Sequence, residues 1–233
     1  MQEIVQFSEQ NVLDLKEILA KVHGDRFLEI GCWTGHSTSY IAEELRNRHG
    51  FEMVVIDTFR GSVGTEIGEP ENHVGIREKF SNNMTKLGLR HYIHIYQGRS
   101  SDMVHNFPNN NFNFIFIDGS HMYEDIKLDL DLYLPKMKYN GIIAGHDFES
   151  FTYKPSSLHL DSDEGKHHGV IKAVTEKFGN KVRRLGNIWY VDLGVKHDFW
   201  TLSRIRVERY IQPKHSYIRS MYNPKWMERS INR

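Results

Sequence analysis

The sequence contains a single cysteine, Cys32, and lacks any long apolar run. One cysteine cannot form an internal disulfide, and its use here fits a reducing compartment. No apolar run approaches the ~18 residues that a membrane-spanning helix needs. The N-terminal MQEIVQFSEQ also lacks the basic and then apolar pattern of a signal peptide. We therefore expect a cytoplasmic protein with no membrane partner.

The chain also has no excess of charge of either sign, because 30 basic residues balance 30 acidic ones. This balance argues against nucleic acid as a partner of the whole protein. With 39% hydrophobic residues, a chain of 233 residues can form one globular domain with a sizeable core. Residues 196–233, however, hold nine Lys and Arg against three Asp and Glu. We interpret this segment as a basic C-terminal extension that packs on the domain or forms a homo-oligomer contact.

Short apolar runs alternate with helical patterns along the rest of the chain. A helical pattern between two of these runs is closed by Asn140-Gly141, and Gly186-Asn187 separates the last two runs as in a hairpin. We predict an α/β domain over residues 1–195 with an N-terminal helical cap at 1–24, which contains a helix over 11–22. The other helices are predicted over 37–49, 74–87 and 169–178. The strands are predicted over 27–30, 53–56, 92–96, 114–117, 141–144, 182–185 and 188–193.

Two of the predicted strands end in polar clusters that can carry catalysis. Asp118-Gly119-Ser120-His121 follows the strand at 114–117, and His146-Asp147 follows the strand at 141–144. Because open α/β sheets bind ligands at the carboxyl ends of their strands, these clusters indicate a catalytic rim. Each histidine also has a structural explanation: His121 could face solvent from the first turn of a helix, and His146 could be buried and bonded to backbone.

The first strand leads into the turn Glu29-Ile30-Gly31-Cys32-Trp33-Thr34-Gly35-His36-Ser37. Glycines at 31 and 35 allow a sharp backbone turn and a close approach of a ligand. The pattern differs from the dinucleotide fingerprint, because Trp33 stands where its second glycine would be, and this argues against NAD. Asp57 ends the next strand, where acids of Rossmann-type folds bind two ribose hydroxyls.

These features resemble class I S-adenosylmethionine-dependent methyltransferases, whose first motif is an acid-x-Gly-x-x-x-Gly turn. The resemblance covers roughly residues 25–193, and it implies a Rossmann-like, seven-stranded, mostly parallel sheet with helices on both faces and a C-terminal antiparallel hairpin strand. Within the class, the chain is most similar to small-molecule O-methyltransferases that act on sugars of antibiotics and surface polysaccharides. The residues that carry this narrower likeness are IDGSHMYEDIKLDL, AGHDF and GVIKAV.

The resemblance implies that S-adenosylmethionine binds along the carboxyl edge of the sheet. Its methionine part would lie at the glycine turn, with Glu29 near the ammonium group and Asp57 at the ribose. Gly98–Ser101 would border the adenine, although the two serines could instead only cap the next helix. The complete predicted cofactor set is Glu29, Gly31, Gly35, Ser37, Asp57, Ser100, Ser101 and Asp118.

The acceptor hydroxyl needs a group that removes its proton or lowers its pKa. Metal-dependent relatives hold an ion with acids at the ends of strands four and five, which here correspond to Asp118, His146 and Asp147. Relatives often carry two acids, or Asp-Asn, at the position of His146-Asp147, and an acidic base at the position of Ser120. The expected ion is Mg²⁺ or Mn²⁺. His121 is the preferred base, and His146 and Asp147 compete with it for catalytic roles.

Two loops were expected to cover the site: Glu149–His168, as a lid or as a solvated loop, and Gly61–Gly75 on the cofactor side. The sequence as a whole predicts an O-methyltransferase for a small molecule, and the predicted acceptor is a sugar or a nucleotide-linked sugar. One alternative is an iron-dependent hydroxylase on the same scaffold, and another is a non-catalytic subunit that binds S-adenosylmethionine. A nucleic-acid methyltransferase is disfavoured, because the chain lacks an Asn/Asp-Pro-Pro-Tyr/Trp sequence.

Overall fold

Strands and helices alternate along the chain in a computed structural model that describes residues 8–61 and 75–194. The strands are β1 Arg26–Ile30, β2 Glu52–Asp57, β3 Ile93–Gln97, β4 Phe112–Ile117, β5 Met137–Gly145, β6 Arg183–Leu185 and β7 Ile188–Asp192. The helices are α1 Glu9–Leu19, α2 His36–Leu45, α3 Ile76–Lys86, α4 Ser100–Met103, α5 Tyr123–Tyr133 and α6 His168–Phe178.

The strands form one seven-stranded sheet in the order β3-β2-β1-β4-β5-β7-β6. Strands β1 to β5 pair in parallel, whereas β7 runs antiparallel to both β5 and β6. The predicted mostly parallel sheet with an antiparallel hairpin strand is therefore confirmed. Strand order reverses between β1 and β4, and ligands of open α/β sheets bind at such a reversal, outside the carboxyl ends of the strands.

The core has two layers because the central strands are apolar on both faces. Along β4, Phe114 and Phe116 belong to the layer beneath α1, α2 and α3, whereas Ile115 and Ile117 belong to the layer beneath α5 and α6. Residues of a strand alternate between the two faces of its sheet, so one apolar run can serve both layers. The two layers hold the carboxyl ends of β1, β4 and β5 in a fixed arrangement.

The end of the helix before β5 differs from the prediction. Asn140-Gly141 was expected to close that helix, but α5 ends at Tyr133 and Asn140-Gly141 lies within β5. The glycine lets the backbone of β5 come close to the backbone of β4, because a Cβ at Gly141 would lie 2.8 Å from the backbone oxygen of Asn113 on β4. The register of β4 and β5 shifts at this point, between Phe112 and Phe114. The short helix α4 was not predicted as an element.

Several predicted segments lie partly or wholly outside the described residues. These are the first seven residues of the cap, most of the loop over 61–75, and the basic extension over 196–233. Their predicted roles stay predictions, as do the domain boundaries. Within the described ranges, no helix is long and apolar enough to cross a membrane.

Candidate active site

A cavity of about 460 Å³ opens at the carboxyl edge of the sheet, where the strand order reverses. It brings together residues that the sequence places far apart on β1, β2, α4, β4 and β5. Most of the predicted site residues line it, namely Gly31, Ser37, Asp57, Ser100, Ser101, Asp118, His121, His146 and Asp147. The two remaining ones lie next to lining residues, Glu29 within β1 and Gly35 in the turn after it.

The two glycines of this turn are required by packing within the protein. Gly31 has a φ of +81°, and a Cβ there would lie 2.2 Å from the backbone oxygen of Asp118. Gly35 has a φ of +92°, and its Cβ would collide with the side chains of Met84 and Phe80 on α3. Trp33 also has a positive φ, of 46°. The glycines thus allow the turn to lie directly against the end of β4 and against α3.

Asp57 holds the same turn from the neighbouring strand. Its Oδ2 accepts hydrogen bonds from the backbone N–H groups of Cys32 and Trp33, each at 2.8 Å, and its Oδ1 accepts one from Phe59 at 2.6 Å. The carboxylate therefore fixes the shape of the cavity wall on which it stands. Asp57 also lines the cavity where the prediction puts a ribose, and its Oδ1 accepts only one hydrogen bond from the backbone, so it can accept another.

Glu29 lies fully buried beneath the turn. The hydroxyls of Ser37 and Thr38 donate hydrogen bonds to its two carboxylate oxygens. Burial raises the pKa of Glu29 to about 8 and outweighs these two hydrogen bonds, which favour the charged form. A buried acid with this pKa is largely protonated at neutral pH, unless a cation comes close to it.

Ser100, at the start of α4, is bound to the helix that follows β4. Its hydroxyl donates to Asp129 on α5, and its backbone oxygen accepts from the hydroxyl of Tyr133 at 2.7 Å. Burial raises the pKa of Asp129 to about 6. Asp129 lines the cavity but was not predicted as a site residue. Its position in the buried stripe Ile126, Asp129, Leu130, Tyr133 is the sequence signal that marks it, because an acid in an apolar stripe needs a partner.

Both residues of His146-Asp147 face the site because β5 ends at Gly145, just before them. The backbone N–H of His146 still donates to Ile117 of β4, at 3.2 Å. The next residue, Asp147, has a φ of +62°, which turns the chain back toward the cavity. Nδ1 of His146 then lies 3.1 Å from Oδ1 of Asp147 and 3.7 Å from Oδ1 of Asp118.

These contacts favour a charged His146 beside a charged Asp147 in the absence of a ligand. Burial disfavours the charged form of His146, but Asp147 and Asp118 outweigh it and raise the pKa of His146 to about 9. Burial acts against the Asp147 carboxylate as well, yet the neighbouring histidines hold the pKa of Asp147 well below its usual range. The same burial raises the pKa of Asp118.

His121 lies between two carboxylates and does not face solvent. Its Nε2 is 2.9 Å from Oδ2 of Asp147, and its Nδ1 is 2.8 Å from Oδ1 of Asp161. Burial disfavours the charged imidazolium, but the two carboxylates outweigh burial and raise the pKa of His121 to about 11. The ring is therefore held in one orientation, with one nitrogen toward the rim and one toward the loop that follows β5.

The loop between β5 and α6 folds back over the rim, and it supplies residues for which the sequence analysis gave no contacts. Nδ1 of His167 lies 2.6 Å from Oε1 of Glu149 and 3.4 Å from Oδ1 of Asp147. The rings of His121 and His167 meet edge to face, with centroids 4.4 Å apart. The dense run of acids and histidines in this loop was visible in the sequence, but their partners depend on the path of the loop.

Two groups of three side chains in the described residues have donor atoms close enough to share a cation. One is Asp118, His146 and Asp147, which is the predicted metal set, and the other is His121, Asp147 and His167. In each group the donor atoms lie within 4.8 Å of one another. Asp147 is common to both groups and stands at the centre of the rim.

A sheet in this strand order, with its ligand cleft at the reversal beside β1, is the arrangement of class I methyltransferases. The chain belongs to a family of methyltransferase domains, whose sequence profile matches residues 28–148. The matched part runs from β1 to just past the rim at Asp147, and it confirms the class that the sequence predicted. Among curated proteins, none matches this sequence significantly.

Solved structures of methyltransferases share the fold. Cofactor-bound Rv0187 from MTB has a TM-score of 0.59 and 14% identity, over 83% of this chain and 84% of that one. An O-methyltransferase from Bacillus cereus in complex with SAH has a TM-score of 0.57 and 18% identity, over 82% and 84%. TomG from Streptomyces achromogenes, an O-methyltransferase of tomaymycin synthesis in complex with SAM, has a TM-score of 0.52 and 16% identity, over 77% and 78%.

Proposed function

We propose that this protein transfers the methyl group of S-adenosylmethionine to a hydroxyl of a small molecule, a sugar or a nucleotide-linked sugar. The observation that carries the proposal is that one cavity joins the glycine turn to the rim of Asp118, His146 and Asp147. A sulfonium methyl is already activated, so the protein has to align the acceptor oxygen with it and take up a proton. The described site contains groups for both tasks.

The cofactor fits along the turn and the end of β2. The methionine part would lie against Gly31 and above Glu29, with its ammonium group favouring the ionised form of this buried acid. Asp57 would bind the ribose with the lone pairs that the turn leaves available, and Ser100 and Ser101 would border the adenine. Asp118, which lines the cavity, would lie near the sulfonium and the acceptor.

The acceptor half of the cavity suits a molecule with several hydroxyls. Its lining includes Asp118, Ser120, His121 and Asp161, whose side chains all carry groups that can bind a hydroxyl. An aromatic acceptor would instead need a mainly apolar wall. These four polar side chains, together with the likeness of IDGSHMYEDIKLDL to sugar O-methyltransferases, support a carbohydrate.

The donor set of Asp118, His146 and Asp147 fits a divalent cation, because two carboxylates and one imidazole lie within reach of one point. A bound Mg²⁺ or Mn²⁺ would lower the pKa of the acceptor hydroxyl and draw the Asp147 carboxylate away from His121. The protein's own contribution is to hold these three ligands ready on the ends of β4 and β5.

His121 is the residue that we assign to the acceptor proton. Asp161 binds its Nδ1, so Nε2 is the nitrogen that faces the rim. This nitrogen would be able to accept a proton once Asp147 binds the cation and no longer holds the ring in its charged form. This nitrogen lies beside Asp147 and within the cavity lining, next to the position of the acceptor. Pairing with Asp161 keeps the ring in place and makes it more basic.

The proposal is tested by incubating the protein anaerobically with S-adenosylmethionine, Mn²⁺ and a panel of free sugars, nucleotide-linked sugars and phenols. We expect S-adenosylhomocysteine and a methylated sugar in equal amounts, detected by mass spectrometry. Asp147→Asn should reduce turnover about 100-fold or more without loss of cofactor binding. Asp131→Asn, which changes an acid paired with Lys177 away from the cavity, is the matched control.

Other results would point elsewhere. Turnover that needs iron and oxygen would indicate the hydroxylase, and cofactor binding with no methylated acceptor would indicate the non-catalytic subunit. Full activity in EDTA would remove the cation from the proposal and leave His121.

A further inference from the structure

The N-terminal helix α1 places a polar side chain directly against the rim. Nδ2 of Asn11 lies 2.8 Å from Nε2 of His146, across 135 residues of sequence. Asn11 is buried on the inner face of α1, and the hydroxyl of Ser8, which caps the helix, accepts its backbone N–H. The apolar residues Leu15 and Ile18 fix the same helix face in the core. The position of the Asn11 amide is therefore set by the fold.

The two nitrogens of His146 face different partners. Nδ1 faces Asp118 and Asp147, whereas Nε2 faces Asn11. A neutral imidazole carries its proton on only one nitrogen, so the hydrogen bond at one nitrogen decides what the other can do. In the charged ring both nitrogens carry a proton. In the neutral ring, if the amide nitrogen of Asn11 donates to Nε2, the proton lies on Nδ1 and points at the carboxylates.

A cation held by Asp118, His146 and Asp147 requires the opposite arrangement. Nδ1 must then offer its lone pair, so Nε2 carries the proton and needs an acceptor. Asn11 can provide this acceptor without any change in the backbone, because half a turn of its amide puts Oδ1 where Nδ2 now lies. An amide is the neutral side chain that can serve both arrangements.

We propose that Asn11 is a positioning residue for the cation site. Its amide oxygen accepts the Nε2 proton of His146 in the cation-bound protein and keeps Nδ1 directed at the ion. The inference rests on the cation in the proposed function. It gives α1 a role in the active site besides its structural role as a helix that covers the sheet. Metal-binding histidines commonly have such a partner on their second nitrogen, and its loss lowers metal affinity about 10- to 100-fold.

The test is Mn²⁺ titration of three variants by calorimetry. Asn11→Leu is similar in size but cannot accept a hydrogen bond, and it should weaken Mn²⁺ binding about tenfold or more. Asn11→Asp keeps an acceptor and should restore affinity to within about threefold of the parent. Leu13→Ala changes an exposed residue of the same helix and is the control. Affinity for S-adenosylmethionine should be unchanged in all three.

The rescue by Asp ties the effect to the hydrogen-bond acceptor, because Asp keeps the size of Asn and an oxygen that can accept the Nε2 proton, whereas Leu has no acceptor. If Asn11→Leu does not fold, Asn11→Ala replaces it in the same comparison. Equal Mn²⁺ affinity in the parent and in the Leu or Ala variant would overturn the role of Asn11 while leaving the cation site intact. Absence of Mn²⁺ binding in the parent would overturn both the cation site and the role of Asn11.

Discussion

The carboxylate of Asp57 holds the backbone amide of Trp33 at 2.8 Å, although 24 residues separate them. Because the same oxygen also binds the amide of Cys32, the end of β2 fixes the turn that follows β1. The wall of the cavity is thus shaped before any ligand arrives. Asp57 therefore has a structural role in addition to the ribose contact that we propose for it.

Asp57→Asn should weaken both the turn and the cofactor site. An amide has only one acceptor oxygen. Its NH₂ group would therefore face one of the backbone N–H groups that now donate to Asp57, and two donors cannot form a hydrogen bond with each other. We expect a loss of about 1–3 kcal/mol in the free energy of unfolding. The Kd for S-adenosylmethionine should rise on the order of tenfold, since 1.4 kcal/mol corresponds to a factor of ten.

Chemical denaturation and calorimetric titration measure these two effects. Glu52→Gln is the control, because Glu52 lies at the other end of β2 and pairs with Arg26 on the surface. A variant with unchanged cofactor affinity and lower stability would limit Asp57 to its structural role.

Gly31→Ala should be far more damaging than Gly88→Ala. Both glycines have a positive φ, but a Cβ at Gly31 would lie 2.2 Å from the backbone oxygen of Asp118, whereas Gly88 has open space around it. We expect about 3 kcal/mol or more of destabilisation at Gly31 and about 1 kcal/mol at Gly88. Urea unfolding of the two variants gives the comparison, and equal losses would contradict the close approach of the turn to β4.

Glu29 should make the stability of the cofactor-free protein depend on pH. Its pKa of about 8 in the folded protein lies above its ordinary value of 4.5, so the folded state holds the proton more tightly. The stabilisation is complete below about pH 4.5 and is lost as the pH rises toward about 8. Relative to Glu29→Gln, the parent should lose roughly 2–4 kcal/mol between pH 5 and pH 8.

Urea unfolding of both proteins at several pH values tests this dependence. Parallel stability curves for the parent and Glu29→Gln would mean that Glu29 is ionised throughout the range. Saturating S-adenosylmethionine should flatten the difference, because the ammonium group stabilises the charged form of Glu29.

Asp161→Asn should impair turnover while leaving cofactor binding unchanged. The substitution weakens the hydrogen bond at Nδ1 of His121 and removes a negative charge that increases the basicity of the ring. We expect kcat to fall about tenfold or more, measured with the acceptor that the panel identifies. Glu164→Gln in the same loop is the control, because Glu164 is exposed and pairs with Lys154 instead. If both variants lowered kcat equally, the cause would be a disturbed conformation of the loop and not the loss of the contact between Asp161 and His121.

The sequence predicted the parts of the site that depend on local pattern. Each of these parts is visible as an apolar run that ends in glycine or in an acidic residue. They are the turn from Glu29 to Ser37 and the polar residues after β4 and β5. Parallel strands then bring these ends to one edge by geometry alone. The antiparallel strand at the end of the sheet was also predicted, because the Gly186-Asn187 hairpin signal is local.

The contacts that were missed depend on the path of the chain in space. Asn11 meets His146 only because α1 packs beside the sheet, and Asp161 meets His121 only because a long loop returns over the rim. Asn140-Gly141 was misread because the same pair suits a helix end and a strand that passes close to its neighbour. Local propensity cannot distinguish a helix end from such a strand position, because the difference lies in which strand packs beside the pair.

The antiparallel pairing of β7 with β5 also keeps β5 from being an exposed edge of the sheet. Strand β5 carries Ile142 and Ile143 in the centre of the apolar core, and β7 covers its outer side through four paired residues. Without the hairpin, that side would be an open row of backbone donors and acceptors beside apolar side chains, which promotes aggregation. Shortened forms of this protein therefore need to retain β7 to remain monodisperse during purification.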